Sequence, residues 1–211
     1  MELPGNQAQW RQEQAKQLGR IADFAASKSD IKAMTCWINW DGKDPNWFEH
    51  GSLFFSDGTP KESFYGVQLG LAGVLLDRTY RISDDWTRNF VLVGNGNVGA
   101  QVVTHRSNPS WGVSKWRVHL GPAGLIRLEK QHFSGRFLEA DDDGNVTIQS
   151  SSDSGRQLWR PMRGSAWDRL TLTNLRTGRR LNSVGTSNNA PLRVWTSNGA
   201  GNQNWLFQLE Q

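Results

Sequence analysis

The sequence predicts a mainly β protein, with a C-terminal barrel of three similar strand units preceded by a helix and short strands. Three observations carry this prediction. Glycine is frequent, at 22 of 211 residues, while hydrophobic residues make up 36%, the mix of a globular chain rich in turns. From about Leu75 onward, short alternating apolar runs are separated by Gly, Asn and Asp turns. Within that stretch the pattern repeats three times, each copy closing on a tryptophan.

The elements follow in order. Between Asn6 and Ala26, the residues Leu18, Ile21, Ala22 and Ala25 fall at i, i+3, i+4 and i+7, with Gln, Lys and Arg opposite. This predicts a helix with Asn6 as N-cap and Ser27–Asp30 as its stop, its apolar stripe turned toward the protein's own body. Residues 36–64, "CWINWDGKDPNWFEHGSLFFSDGTPKESF", change grammar. Trp37, Ile38 and Trp40 read as a strand ending at Asp41-Gly42, and the run before Asp57-Gly58 and Pro60 reads the same way. The expected domains are therefore 1–76, a helix-plus-β region of unassigned fold serving oligomerisation or as an effector, and 77–211, the repeat barrel.

The three units begin "YRISDDWTRNFVLVG", "IRLEKQHFSGRFLEA" and "LTLTNLRTGRRLNSV". Each carries a second strand ("NFVLV", "RFLEA", "RRLNS"), a turn, and a third strand ("AQVVT", "VTIQS", "LRVWT"). Each ends on a triplet: Ser114-Lys115-Trp116, Gln157-Leu158-Trp159 and Gln203-Asn204-Trp205. A period of about 40 residues in three copies is too few for a propeller, which needs at least four blades. It suits a barrel with pseudo-threefold symmetry, each unit anchored by one buried indole.

The Gln-x-Trp triplets make residues 77–211 resemble the ricin B-chain type of β-trefoil lectin. The match is strong in the third unit, fair in the second and degraded in the first, where Ser114 replaces the glutamine. The resemblance implies a β-trefoil in which Trp116, Trp159 and Trp205 are core pillars. It also implies a sugar site built from an acidic residue on the second strand, a polar residue on the third, an aromatic two residues later, and an Asn beside the triplet Gln. In the third unit these positions fall on Asn182, Arg193, Trp195, Asn202 and Gln203, with Ser183 the neighbour of the acidic position. In the second unit they fall on Glu139, Thr147, Arg156 and Gln157, with Gln149 where an aromatic would stack. In the first unit, Leu92 and Val103 stand at the polar and stacking positions, which predicts a unit without a site. Trp195 is expected to face outward as the platform for a pyranose, or else to pack within the chain. Asn182 in place of a carboxylate removes a charged acceptor, and Arg193 adds only donors, so a galactose preference does not follow and an acidic sugar fits as well.

Other chemistry is poorly supported by the residues. The single cysteine, Cys36, excludes an internal disulfide framework, and His50 near it forms no nucleophile context. The histidines show no metal-ligand spacing, and Asp141-Asp142-Asp143-Gly144 lacks the EF-hand pattern, so neither metal nor cofactor is expected. "GNGNVG" at 94–99 opens no helix and reads as a hairpin turn. The longest apolar run, "VQLGLAGVLL" at 67–76, is too short to span a membrane, and the sequence shows no secretory leader. Location in the cytoplasm, or release without a signal peptide, is therefore expected. Residues 1–76 hold seven Lys/Arg against nine Asp/Glu, and 77–211 hold seventeen against eleven, a modest asymmetry that does not call for nucleic acid.

The expected function is non-catalytic carbohydrate binding through the third unit. The partners would be glycans or glycoconjugates, with homo-oligomerisation a route to avidity and membranes met only through glycans or the N-terminal part. Other readings stay open: a toxin or defence lectin acting on membranes through residues 1–76, a trefoil scaffold or inhibitor without sugar binding, and an enzyme whose catalytic unit is 1–76.

Overall fold

The computed structural model describes residues 7–27, 59–71, 73–106, 112–166 and 168–210. The chain forms two compact units, one comprising 1–76 with the 122–124 turn and the other 77–121 with 125–211. The expected strands around Trp37–Trp40 and before Asp57-Gly58, together with Cys36, His50 and the Asn6 cap, lie outside the described residues.

In the first unit, α1 (Gln7–Ser27) occupies the predicted span, and its last turn is closed by the Ser27 hydroxyl donating to Phe24 O at 2.8 Å. A second helix, α2 (Glu62–Leu71), replaces the extended reading of residues 62–64. Glu62 in its first turn complements the helix dipole. The buried stripe of α1 also differs from the prediction. Ala15, Gly19 and Ala22 are buried, whereas Ile21 is 54% exposed. The reason is how closely the helices approach. A β-carbon on Gly66 would lie 2.1 Å from Ala15 O, and one on Gly70 would lie 2.0 Å from Gly19 O. Only residues without bulk fit such a contact, so the small residues at i, i+4 and i+7 take the inner face and Ile21 is turned out. Leu18 and Phe64 flank the contact on Ala22 and Val67.

Among its described residues the second unit holds twelve strands: β1 (Thr79–Asp84), β2 (Phe90–Leu92), β3 (Val103–His105), β4 (Lys115–Leu120), β5 (Ile126–Lys130), β6 (Arg136–Ala140), β7 (Val146–Ser150), β8 (Trp159–Arg163), β9 (Leu170–Asn174), β10 (Arg180–Ser183), β11 (Ala190–Trp195) and β12 (Trp205–Leu209). Antiparallel pairing runs β1–β4–β5–β8–β9–β12 and returns to β1, closing a six-stranded barrel without edges. The hairpins β2–β3, β6–β7 and β10–β11 stand off this ring, one per repeat. They meet each other through Ala190↔Thr104, Gln101↔Thr147 and Asn145↔Arg193. At this junction the Gln101 amide donates to Val102 O at 3.0 Å, Val146 O at 2.7 Å and Leu192 O at 3.3 Å, one equivalent carbonyl from each repeat.

The pairing register sets the correspondence between repeats. Ser83↔Phe90, Glu129↔Phe137 and Thr173↔Arg180 are the same contact in three copies. Each triplet indole is fully buried and donates to the matching carbonyl of its own hairpin: Trp116 to Val91 O at 2.9 Å, Trp159 to Leu138 O at 3.1 Å, and Trp205 to Leu181 O at 3.3 Å. A buried N–H left without a partner would be costly, so each pillar fixes its hairpin as well as filling the core. Ile82, Leu128 and Leu172, equivalent by the same register, complete an apolar layer with at most 1% exposure.

Candidate functional site

The site grows from the junction of three local structures in each repeat: the hairpin, the loop after its second strand, and the 3-10 turn before the triplet tryptophan. In the third repeat the strand pairing sets Asn182 opposite Arg193, and Arg180 opposite Trp195. Alternation along β11 buries Leu192 and Val194 and turns Arg193 and Trp195 the other way. The Trp195 ring is 62% exposed. The turn Gly201–Gln203 then brings in Asn202.

A polar network joins these residues. Asn182 Oδ1 accepts from Asn202 Nδ2 at 3.1 Å and from Gln203 Nε2 at 3.2 Å, while Asn182 Nδ2 donates to Ser183 O at 3.1 Å. Gln203 also donates to Thr196 O at 2.9 Å, and its Oε1 accepts the Asn198 N–H at 3.1 Å. Gln203 has no exposed surface and Asn182 has 7%. The triplet glutamine is therefore a buried bracket that orients Asn182 and the loop. The half-buried Asn202 and Arg193 and the exposed Trp195 ring form the outward part. Arg193 is tied to Asn145 Oδ1 of the second repeat, which fixes its guanidinium across the hairpin junction.

The second repeat has the same plan with different chemistry. Glu139 lies opposite Thr147, and Phe137 opposite Gln149. Gln157, fully buried, donates to Glu139 Oε2 at 2.9 Å and to Ser150 O at 2.7 Å. Its Oε1 accepts from Arg127 at 2.6 Å and from Ser152 N–H at 3.0 Å. Here the aromatic sits on the neighbouring strand, where Phe137 is covered by the Arg127 guanidinium at 4.1 Å. The space left is a cleft of about 650 Å³ lined by Glu139, Gln149, Arg156 and Arg176 and by serines 150, 151, 152 and 154. Asp142 pairs with Arg156 at 2.5 Å and with Arg176 at 3.1 Å. Those two guanidiniums hold its carboxyl below the usual range, Arg156 contributing most. The aspartate run is thus a hairpin turn that neutralises arginines, with Gly144 at φ +88° making the bend. Arg176 was missed in the sequence because it belongs to the following repeat.

The first repeat corrects one assignment. Leu92 faces Val103, so Val103 is at the polar position, and the stacking position falls on His105, opposite Phe90. Ser114, 2% exposed, is too short to reach across as Gln157 and Gln203 do. The 94–99 segment is the link between β2 and β3, as expected of a hairpin turn. Among the described residues no cluster of three His, Cys, Asp or Glu could hold a metal ion, and no helix is long and apolar enough to cross a membrane.

No family model matches the chain, and no curated protein matches it. Solved structures do. The designed threefold-symmetric protein ThreeFoil is 24% identical, with a TM-score of 0.57 over 63% of this chain and 99% of its own. The Macrolepiota procera ricin B-like lectin, solved in complex with lactose, is 16% identical, with a TM-score of 0.54 over 64% and 97%. The fold is a β-trefoil. A mosquitocidal holotoxin, 19% identical, gives a TM-score of 0.61 over 65% of this chain, but the chain spans only 18% of that toxin's length. The β-trefoil here differs from a symmetric one in carrying Leu92, Glu139 and Asn182 at one equivalent hairpin position.

Proposed function

We propose that the β-trefoil unit binds carbohydrate, without catalysing its turnover, through the third-repeat site. The observation that carries this reading is the exposed Trp195 ring beside the Asn182–Asn202 network. An aromatic face covers the C–H side of a pyranose, and nearby amides fix its hydroxyls. Arg193 and Asn202 are the groups that meet the ligand; Asn182 and Gln203 position them. Neighbours of the same fold include a lectin solved with lactose, which agrees with this use of the scaffold. The neutral Asn182 leaves the choice of sugar to Arg193, whose donors suit carboxylated or sulfated sugars as well as neutral ones.

The second-repeat cleft supports a further, weaker sugar position, because Glu139 is held as an acceptor beside Arg156 and four serines. It lacks an aromatic at residue 149, so binding there relies on hydrogen bonds alone.

The test is a printed glycan array probed with wild type, Trp195→Ala and Glu139→Ala. Trp195→Ala is expected to abolish most of the signal while changing the unfolding free energy by no more than about 0.5 kcal/mol, as exposed substitutions do. Glu139→Ala is expected to remove at most a minor component. Wild-type signal that persists undiminished in Trp195→Ala would refute the third-repeat assignment.

A further inference from the structure

Among the described residues the tryptophans with placed side chains divide in two: the pillars Trp116, Trp159 and Trp205, fully buried, and Trp86 and Trp195, which are 53% and 62% exposed. Trp86 lies in the turn between β1 and β2, in the first repeat by sequence. The barrel's closure nevertheless brings that turn to the third repeat. Asp85 N–H donates to Asn204 O at 2.8 Å, the counterpart of Leu175 N–H to Leu158 O at 2.9 Å and of Gln131 N–H to Lys115 O at 3.1 Å. These three bonds make Trp86 the structural equivalent of Arg176. A β-carbon on Gly201 would lie 3.6 Å from Trp86 Cβ, just as one on Gly155 would lie 3.6 Å from Arg176 N.

In the second repeat, Arg176 lines the same cleft as Glu139, Gln149 and Arg156. By the register, Trp86, Asn182, Trp195 and Asn202 hold the equivalent positions in the third repeat, which assigns both exposed indoles to one site. The turn bearing Trp86 is rigid: both Asp84 carboxylate oxygens accept from Thr87, its N–H and its hydroxyl, each at 2.6 Å, and Arg169 grips Asp85 at 2.8 Å. An exposed indole held on a locked turn is a prepared surface, since little ordering is left to be done on binding.

We infer that Trp86 forms a second sugar subsite beside Trp195, so that the third-repeat site takes an oligosaccharide of at least two pyranose units rather than a monosaccharide. This inference rests on the carbohydrate reading of Trp195. Trp195 reaches the site from the end of β11, and Trp86 lies beside Gly201 of the turn that carries Asn202. One ring stacks on each indole and Asn202 meets the hydroxyls near the linkage.

The probe is a printed panel of galactose, N-acetylglucosamine, xylose and glucuronic acid, each presented as mono-, di- and tetrasaccharide. Wild type is expected to bind the disaccharide and longer members of its preferred series about tenfold more tightly than the monosaccharide, roughly what one stacked ring contributes. Trp86→Ala is expected to reduce that oligosaccharide to the monosaccharide level, Trp86→Phe to keep part of the gain, and Trp195→Ala to remove both. Far-UV spectra and melting curves of Trp86→Ala matching wild type exclude misfolding as the cause. An oligosaccharide preference unchanged in Trp86→Ala, with Trp195→Ala silent, overturns this subsite alone. Wild type silent across the panel, or Trp195→Ala binding normally, overturns the underlying site and the subsite with it.

Discussion

Trp195 and Trp205 lie ten residues apart and have opposite roles, and their strand positions account for it. Trp205 opens β12 on the inward side, and Trp195 ends β11 on the outward side. The same logic governs the polar residues that end the first strand of each repeat. Asp84, Lys130 and Asn174 are equivalent and fully buried. Asn174 Nδ2 donates to Arg156 O at 2.8 Å, and Lys130 Nζ donates to Gly112 O at 3.0 Å and Lys115 O at 2.8 Å, so each latches the 3-10 turn of the repeat before it. Lys130 Nζ also lies 4.9 Å from the Trp116 ring, and burial pulls its pKa down to about 7. In the unfolded chain the lysine keeps its ordinary value near 10.5. Between these two values the unfolded chain holds a proton that the folded chain has released, so this residue makes stability rise with pH. Below pH 7 both states are charged and the contribution is flat. Urea unfolding of wild type and Lys130→Met across pH 6–10 checks this. The wild-type curve is expected to climb relative to the variant by up to about 1.4 kcal/mol per pH unit within that window. Parallel curves would show that Lys130 stays charged in the fold.

At the scale of elements, the tryptophans 43 and 46 residues apart made the repeats legible, because a pillar must recur wherever a hairpin needs its carbonyl met. The site positions of the second and third repeats were legible for the same reason. The first repeat's stacking position was not. Ten residues separate β2 from β3, against five between β6 and β7, and that longer link hides the register that pairs His105 with Phe90. The α2 helix was obscured differently: "ESFYGVQLGL" has no clean 3.6-residue apolar period. Its two glycines, Gly66 and Gly70, are the contact surface toward α1. Gly66→Ala places a methyl group 2.1 Å from the Ala15 carbonyl, which backbone cannot yield without parting the helices. The expected cost is about 1–3 kcal/mol, confined to the first unit. Hydrogen exchange on the full chain should show lost protection across 7–27 and 62–71 with the β strands unaffected; equal protection would mean the helices do not touch at these glycines.

For the molecule as a whole, the repeat is what makes function asymmetric. A barrel needs three equivalent pillars, but nothing requires three equivalent surfaces, so Leu92, Glu139 and Asn182 diverge at one position without disturbing Trp116, Trp159 and Trp205. The price is that no repeat stands alone. Every triplet turn is latched by the next repeat, and the third is latched by the first through Asp85 and Asn204. The first and last strands also pair over five positions, Tyr80↔Leu209 through Asp84↔Trp205. Glu210 joins them, accepting from Arg81 at 3.1 Å and pairing with Lys115 at 2.7 Å. Removing residues 205–211 therefore takes away a pillar and exposes the edges of β1 and β9 together. Such closure makes folding all-or-none. The truncated chain is expected to lose the cooperative thermal transition of the whole β unit and the near-ultraviolet signal of its packed indoles, including Trp116 and Trp159 far along the sequence. A truncated chain that still melted cooperatively with two-thirds of the wild-type enthalpy would show instead that the repeats are separable modules that merely stack.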